Sequence, residues 1–121
     1  MKILDSNIII YSYKPAFSFL KPLVIDPANG ISAISRLEIL GYHGIQAGEE
    51  TYCEFVFRIL QTFPFDDAIL VEAIRLRKHF KLKLGDSIVA ATALLHGAEL
   101  QTRNVTDFLR IPELMVVNPI P

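Results

Sequence analysis

Short apolar runs alternate with longer stretches of helical period along this chain, and that alternation constrains the fold more than any other feature. A run of about four apolar residues suits a strand buried on both faces, whereas apolar positions at i, i+3 and i+4 require a helix. Repeated in this order, the two patterns build βα units around a central, mostly parallel sheet of four to five strands with helices on both faces, an α/β fold. Strands are predicted at Met1–Leu4, Ile31–Ile34, Thr62–Phe65, Glu99–Thr102 and Leu114–Val117.

The helices follow from their stripes. In Glu50–Gln61, residues Tyr52, Phe55, Val56, Ile59 and Leu60 share one face; in Asp67–Lys81 the stripe is Ile69, Ala73, Leu76 and Phe80. Gly85–His96 is apolar nearly all round and belongs against the sheet, ended by Gly97. A further helix is predicted from Ser35 to about Ile45, fraying or bending near Gly41 because glycine costs roughly 1 kcal/mol relative to alanine inside a helix. Pro15–Gly30 carries three prolines and has no clear pattern; Asn118–Pro121 reads as an exposed tail.

Composition closes several classes. With 121 residues, 51% apolar, and a formal net charge of −1, the chain fits one folded domain over residues 1–121 and not a disordered segment. Its densest apolar stretch, Ile88–Leu95, is about half of the ~20 residues that a membrane crossing needs. Met1–Asp5 lacks the features of a signal peptide, and the lone Cys53 cannot build an internal disulfide framework. Both point to a cytoplasmic, reducing compartment.

The acidic residues are informative by position. Asp5 ends the first strand, Glu38 lies one turn into the helix after the second, Asp86 opens the buried helix, and Asp107 follows the fourth strand. Loops after the strands of a parallel sheet share one edge, so four chain segments can converge there. Crowded carboxylates raise one another's pKa unless a cation neutralises them, and oxygen-only ligands suit Mg²⁺ or Mn²⁺. The chemistry suggested is metal-assisted phosphodiester cleavage, which needs no histidine or serine nucleophile. Each acid also has a plainer role. Asp5, Asp86 and Asp107 can each cap a helix, and Ser35-Arg-Leu-Glu38 matches a capping box.

Family resemblance adds to this. Ile3-Leu-Asp-Ser-Asn-Ile-Ile-Ile10, Ser35-Arg-Leu-Glu-Ile-Leu40, Leu84-Gly-Asp-Ser-Ile-Val-Ala-Ala-Thr-Ala-Leu94 and Thr102-Arg-Asn-Val-Thr-Asp-Phe108, in this order, resemble PIN-domain proteins and more narrowly VapC-type toxin ribonucleases. The resemblance implies a three-layer α/β/α domain whose acidic pocket holds Mg²⁺ or Mn²⁺. It also implies an endoribonuclease that cuts single-stranded RNA and is neutralised by a VapB-like antitoxin. By position, Asp5 and Asp86 would hold the metal, with Asp107 completing the set. Glu38 would bind it through water or orient the attacking water. Ser6, Thr102 and Asn104 would support these groups. Some members carry an acid where this chain has Asn104, which shifts the burden to Asp107.

Around these motifs, Arg75–Lys83 holds five of the twelve basic residues and reads either as a solvated helix face or as an RNA-backbone rail. Arg103 is the better single candidate for a phosphate contact. Tyr11 and Tyr13 can pack in the core or stack on a base. His43, His79 and His96 fall outside the acidic motifs and read as surface or capping residues. Cys53 and Phe57 widen an apolar face, which suits a homodimer or antitoxin surface as well as a broad buried contact. A non-catalytic PIN domain that binds RNA or docks a protein is the alternative function. A haloacid-dehalogenase-like phosphatase is disfavoured because its D-x-D motif is met here by Asp5-Ser6-Asn7.

Overall fold

The computed structural model describes all residues from Met1 to Pro121. The strands are β1 (Lys2–Leu4), β2 (Gly30–Ser32), β3 (Gln61–Phe63), β4 (Glu99–Gln101) and β5 (Val116–Val117). The helices are α1 (Ser6–Ser12), α2 (Lys21–Val24), α3 (Ala33–Leu40), α4 (Ala47–Ile59), α5 (Asp67–His79) and α6 (Leu84–Leu95). All five strands are parallel, in the order β3-β2-β1-β4-β5. The chain therefore moves outward from β1 to β3 and then returns to add β4 and β5 on the other side. The order reverses between β1 and β4, which opens a crevice beyond their C-terminal ends.

Side chains alternate across each strand, so neighbours in β1 feed opposite cores. Ile3 joins Leu100, Leu76, Val89 and Ala90 in the layer beneath α5 and α6. Leu4 joins Ile8, Ile31, Ile39 and Val56 beneath α1, α3 and α4. Helices thus cover both faces, as the alternating pattern predicts. The near-continuous apolar surface of α6 is explained by its central place, with Ser87–Ala93 all buried.

Gly97 ends α6 in the left-handed region (φ 58°). Its N–H bonds Leu94 O, and the Ala98 N–H bonds Ala93 O, a Schellman closure that glycine permits.

The structure corrects several local expectations. Helix α3 starts at Ala33 and is capped by Ser32 Oγ, which accepts from the Ile34 N–H at 3.2 Å. Ser35 is therefore inside the helix, and Ser35–Glu38 is no capping box. The helix stops at Gly41 without continuing to Ile45. Helix α4 begins three residues before Glu50, because a first turn needs no internal N–H partners and tolerates Gly48. Pro15–Leu20 forms a 3₁₀ segment that leads into α2. The C-terminal tail is not wholly exposed, since Ile120 packs against the α1/α3/α4 core. Cys53 and Phe57 are buried, so their wide face serves the interior and gives no support to a homodimer.

Candidate active site

Asp5 follows β1 directly, at the crevice where the strand order reverses. Its backbone N–H bonds Gln101 O on β4 at 2.9 Å, and its side chain caps α1 by accepting from the Ser6 N–H at 2.8 Å. The capping expectation therefore holds for Asp5, and one oxygen is used for it. The other, Oδ2, accepts from Thr102 Oγ1 at 2.9 Å and from Asn7 Nδ2 at 3.3 Å. Thr102 is fully buried just past β4, and its hydroxyl in turn accepts from the Asn104 N–H at 3.1 Å.

Asn7 was not singled out by the sequence. Its amide spans Asp5 Oδ2 and Thr102 Oγ1, and its Oδ1 accepts the Arg103 N–H at 3.1 Å. An amide two residues after the strand-ending Asp, on the first turn of the next helix, was the available signal. Of the supporting residues expected, Thr102 acts through its hydroxyl, while Ser6 and Asn104 act through their backbone N–H groups.

Asp86 and Asp107 do not cap helices. Asp86 is the third residue of α6, whose cap position is Lys83, and Asp107 ends the 3₁₀ turn Val105–Asp107. The two acids line one pocket of about 280 Å³ together with Lys81, Leu82 and Lys83. Glu38, on α3, leans over the start of α6: a side-chain carbon at Gly85 would lie 3.0 Å from its Oε2. Ser35, one turn earlier on α3, is buried with its hydroxyl unpartnered.

Three of the acids sense their neighbours. Burial pushes the Asp86 carboxyl up to about 6, and the charges of Asp5 and Asp107 add to the rise; Lys83 opposes it. Burial likewise raises Asp5, against the hydrogen bonds from Thr102 and Ser6, with Asp107 adding to the rise. Glu38 is raised by burial and then by Asp5. No basic side chain is ion-paired with any of them, since the molecule's ion pairs join Arg75 to Glu72 and Glu113. Segments far apart in sequence thus hold acids whose negative forms disfavour one another.

No three of these groups stand ready to close on one ion. The donors are oxygen only, carry excess negative charge and leave open space at Asp86 and Asp107. That chemistry fits a hard divalent ion held by one or two carboxylates and otherwise by water. Arg75 is committed to Glu72, so of the basic run Arg75–Lys83 it is Lys81 and Lys83 that reach the pocket rim.

A five-stranded parallel sheet with carboxylates gathered at its switch point defines a narrow class of α/β protein, and comparison makes it specific. The PIN domain family model matches residues 2–114, and the chain belongs to the PIN-domain family. Its fold resembles that of a chain in a toxin–antitoxin complex from Klebsiella pneumoniae, with TM-score 0.82, 31% identity and 98% of each chain covered. It also resembles VapBC-1 from nontypeable Haemophilus influenzae, with TM-score 0.79, 25% identity, and 97% of this chain and 96% of that one covered. FitAcB from Neisseria gonorrhoeae has TM-score 0.79 at 22% identity over 98% of each chain, a likeness of fold alone. Among curated proteins none matches.

Proposed function

We propose that this chain is a metal-dependent endoribonuclease, the toxin of a VapBC-type toxin–antitoxin pair. The observation that carries the reading is the convergence of acids from four chain segments at one sheet edge, where Asp5, Glu38 and Asp86 have raised carboxyl groups and none of the four acids is ion-paired. Such an arrangement costs stability and is repaid when a cation arrives. The likeness to a Klebsiella toxin–antitoxin complex supports the toxin role and an antitoxin partner. Exposed Leu37, Phe65 and Leu84 around an apolar recess of about 380 Å³ support a protein-binding surface nearby, for an antitoxin or for a second copy in a homodimer. No helix is long and apolar enough to cross a membrane; we assign the protein to the cytoplasm.

Asp5 and Asp86 would hold Mg²⁺ or Mn²⁺ together with water, with Asp107, on the same pocket as Asp86, assisting the set. When bound, the ion activates water at neutral pH and stabilises charge on a phosphoryl group. Glu38, with its raised carboxyl, orients the attacking water and takes up its proton. Thr102 and Asn7 fix the Asp5 carboxylate so that it meets its ligand without rearranging. Arg103, Lys81 and Lys83 offset the charge of the RNA backbone entering an acidic pocket.

Incubation of the purified chain with a labelled single-stranded RNA in Mg²⁺, Mn²⁺ or EDTA tests this. Cleavage that needs the metal and is lost in Asp5→Asn is expected. RNA binding without cleavage in any metal would overturn the enzyme reading in favour of a docking module.

A further inference from the structure

The edge of α1 carries a feature that the acidic pocket does not use. Asn7 and Tyr11 are four residues apart and share one face of α1, the face toward the loop after β4. Asn7 Oδ1 accepts the Arg103 N–H and fixes that residue's backbone. Tyr11 takes its other end: the Arg103 guanidinium lies over the Tyr11 ring, 4.7 Å from its centre. The Lys14 ammonium lies over the same ring at 4.8 Å, and Phe17 braces the ring edge-on at 4.8 Å. Neither cation is ion-paired with a carboxylate. Two like charges share one aromatic ring, half-buried and one turn along α1 from the residue that binds Asp5.

Two cations near one ring repel, and the ring quadrupole compensates only in part. What completes such a pair is an anion that meets both.

We propose that Arg103 and Lys14, held on Tyr11, form a phosphate-binding subsite for single-stranded RNA beside the acidic pocket. It rests on the nuclease reading and adds a direction to it. The strand leaves the pocket past Arg103 and runs along α1 toward Lys14, so that the subsite takes a phosphodiester adjoining the one being cut. Tyr11 is a positioning residue that acts through Arg103 and does not touch the reacting atoms.

Binding of a single-stranded RNA oligonucleotide in EDTA, measured over a range of salt concentrations, tests the subsite without requiring cleavage. Arg103→Ala and Lys14→Ala are expected to weaken binding about threefold to tenfold. The double variant should also lower the slope of log affinity against log salt by about 0.7, the share of the one phosphate that both cations meet on a single strand. Tyr11→Leu is expected to weaken binding similarly, and Tyr11→Phe to restore it. In cleavage assays the loss in Tyr11→Leu should fall on KM and not on kcat. Unchanged affinity in Arg103→Ala and Lys14→Ala, with an unchanged salt slope in the double variant, overturns the subsite even where the wild type cleaves RNA. A fall in kcat alone for Tyr11→Leu overturns the positioning role. A wild type that binds these variants' RNA with the expected differences but never cleaves it would sink the nuclease reading and leave the subsite standing.

Discussion

Thr102 Oγ1 donates to Asp5 Oδ2 at 2.9 Å across 97 positions of sequence, and this bond joins the two strands at which the sheet order reverses. The hydroxyl is fully buried, and it also accepts from Asn7 and from the Asn104 N–H. Replacement by the isosteric valine therefore strips a buried carboxylate of one of its three donors, takes the acceptor from the Asn104 N–H, and leaves the Asn7 amide only Asp5 Oδ2 to donate to. Thr102→Val is expected to destabilise the fold by about 2 kcal/mol, read by urea unfolding. It should also lower RNA cleavage by about 10- to 100-fold, as removal of a group that orients a metal ligand does.

Relief of repulsion distinguishes the acids. In Asp5→Asn an amide nitrogen would face the donors Thr102 and Asn7, so the gain from lost charge is offset by a lost acceptor. Asp86 makes no such bonds, and its charge is disfavoured by burial and by Asp5 and Asp107. Both substitutions are expected to abolish cleavage, but only Asp86→Asn should raise the thermal midpoint at pH 7 in EDTA.

The same groups set a pH dependence with a definite sign. Asp86 has a carboxyl pKa raised from 3.8 to about 6 in the folded chain, while the unfolded chain keeps the ordinary value. Below pH 3.8 both states are protonated and the group contributes nothing to the difference. Between there and about pH 6 the unfolded state loses its proton first, so stability is withdrawn as pH rises. Allowing for solvent access, the loss is on the order of 1 kcal/mol. Unfolding of the wild type and Asp86→Asn from pH 4 to 7 in EDTA should show the variant gaining on the wild type by this amount. Saturating Mg²⁺ or Mn²⁺ should shrink the gap.

Gly85 permits the approach of Glu38. In this first turn of α6 an alanine gains less than the roughly 1 kcal/mol of a helix interior, and its side chain meets Glu38 Oε2 at 3.0 Å. The carboxylate is the free end of an exposed side chain and can yield. Gly85→Ala is expected to be as stable as the wild type or more so, while cleavage falls severalfold because Glu38 is displaced.

Two serines on one helix test the capping assignment. Ser32→Ala removes the acceptor of the Ile34 N–H and should cost about 1 kcal/mol. Ser35→Ala removes a buried hydroxyl that has no partner and should be neutral or stabilising. Equal losses by chemical denaturation would show that Ser35 does take part in the cap.

Much of the fold is legible in the residues because period and burial agree. The stripe of α5 and the apolar wrap of α6 are each explained by one neighbour, the sheet. The start of α3 was displaced by three residues because Ser32 and Ser35 are equally good caps by type. What decides between them is the end of β2, where Ser32 still pairs with Phe63 of the neighbouring strand. The acids were legible because each follows a strand or opens a helix, features local in sequence. Asn7 was not, since its partners Thr102 and Arg103 lie on a strand end that comes beside β1 only through the crossover. The Tyr11–Arg103 contact escaped for the same reason.

Calorimetric titration of the protein with Mn²⁺ at pH 6, in two buffers of different ionisation enthalpy, addresses the electrostatic account most directly. If the carboxylates are raised because they await a cation, saturable binding with net proton release is expected in the wild type, and both should be lost in Asp5→Asn and Asp86→Asn. Equal binding by wild type and both variants, or saturation with no protons released, would contradict it.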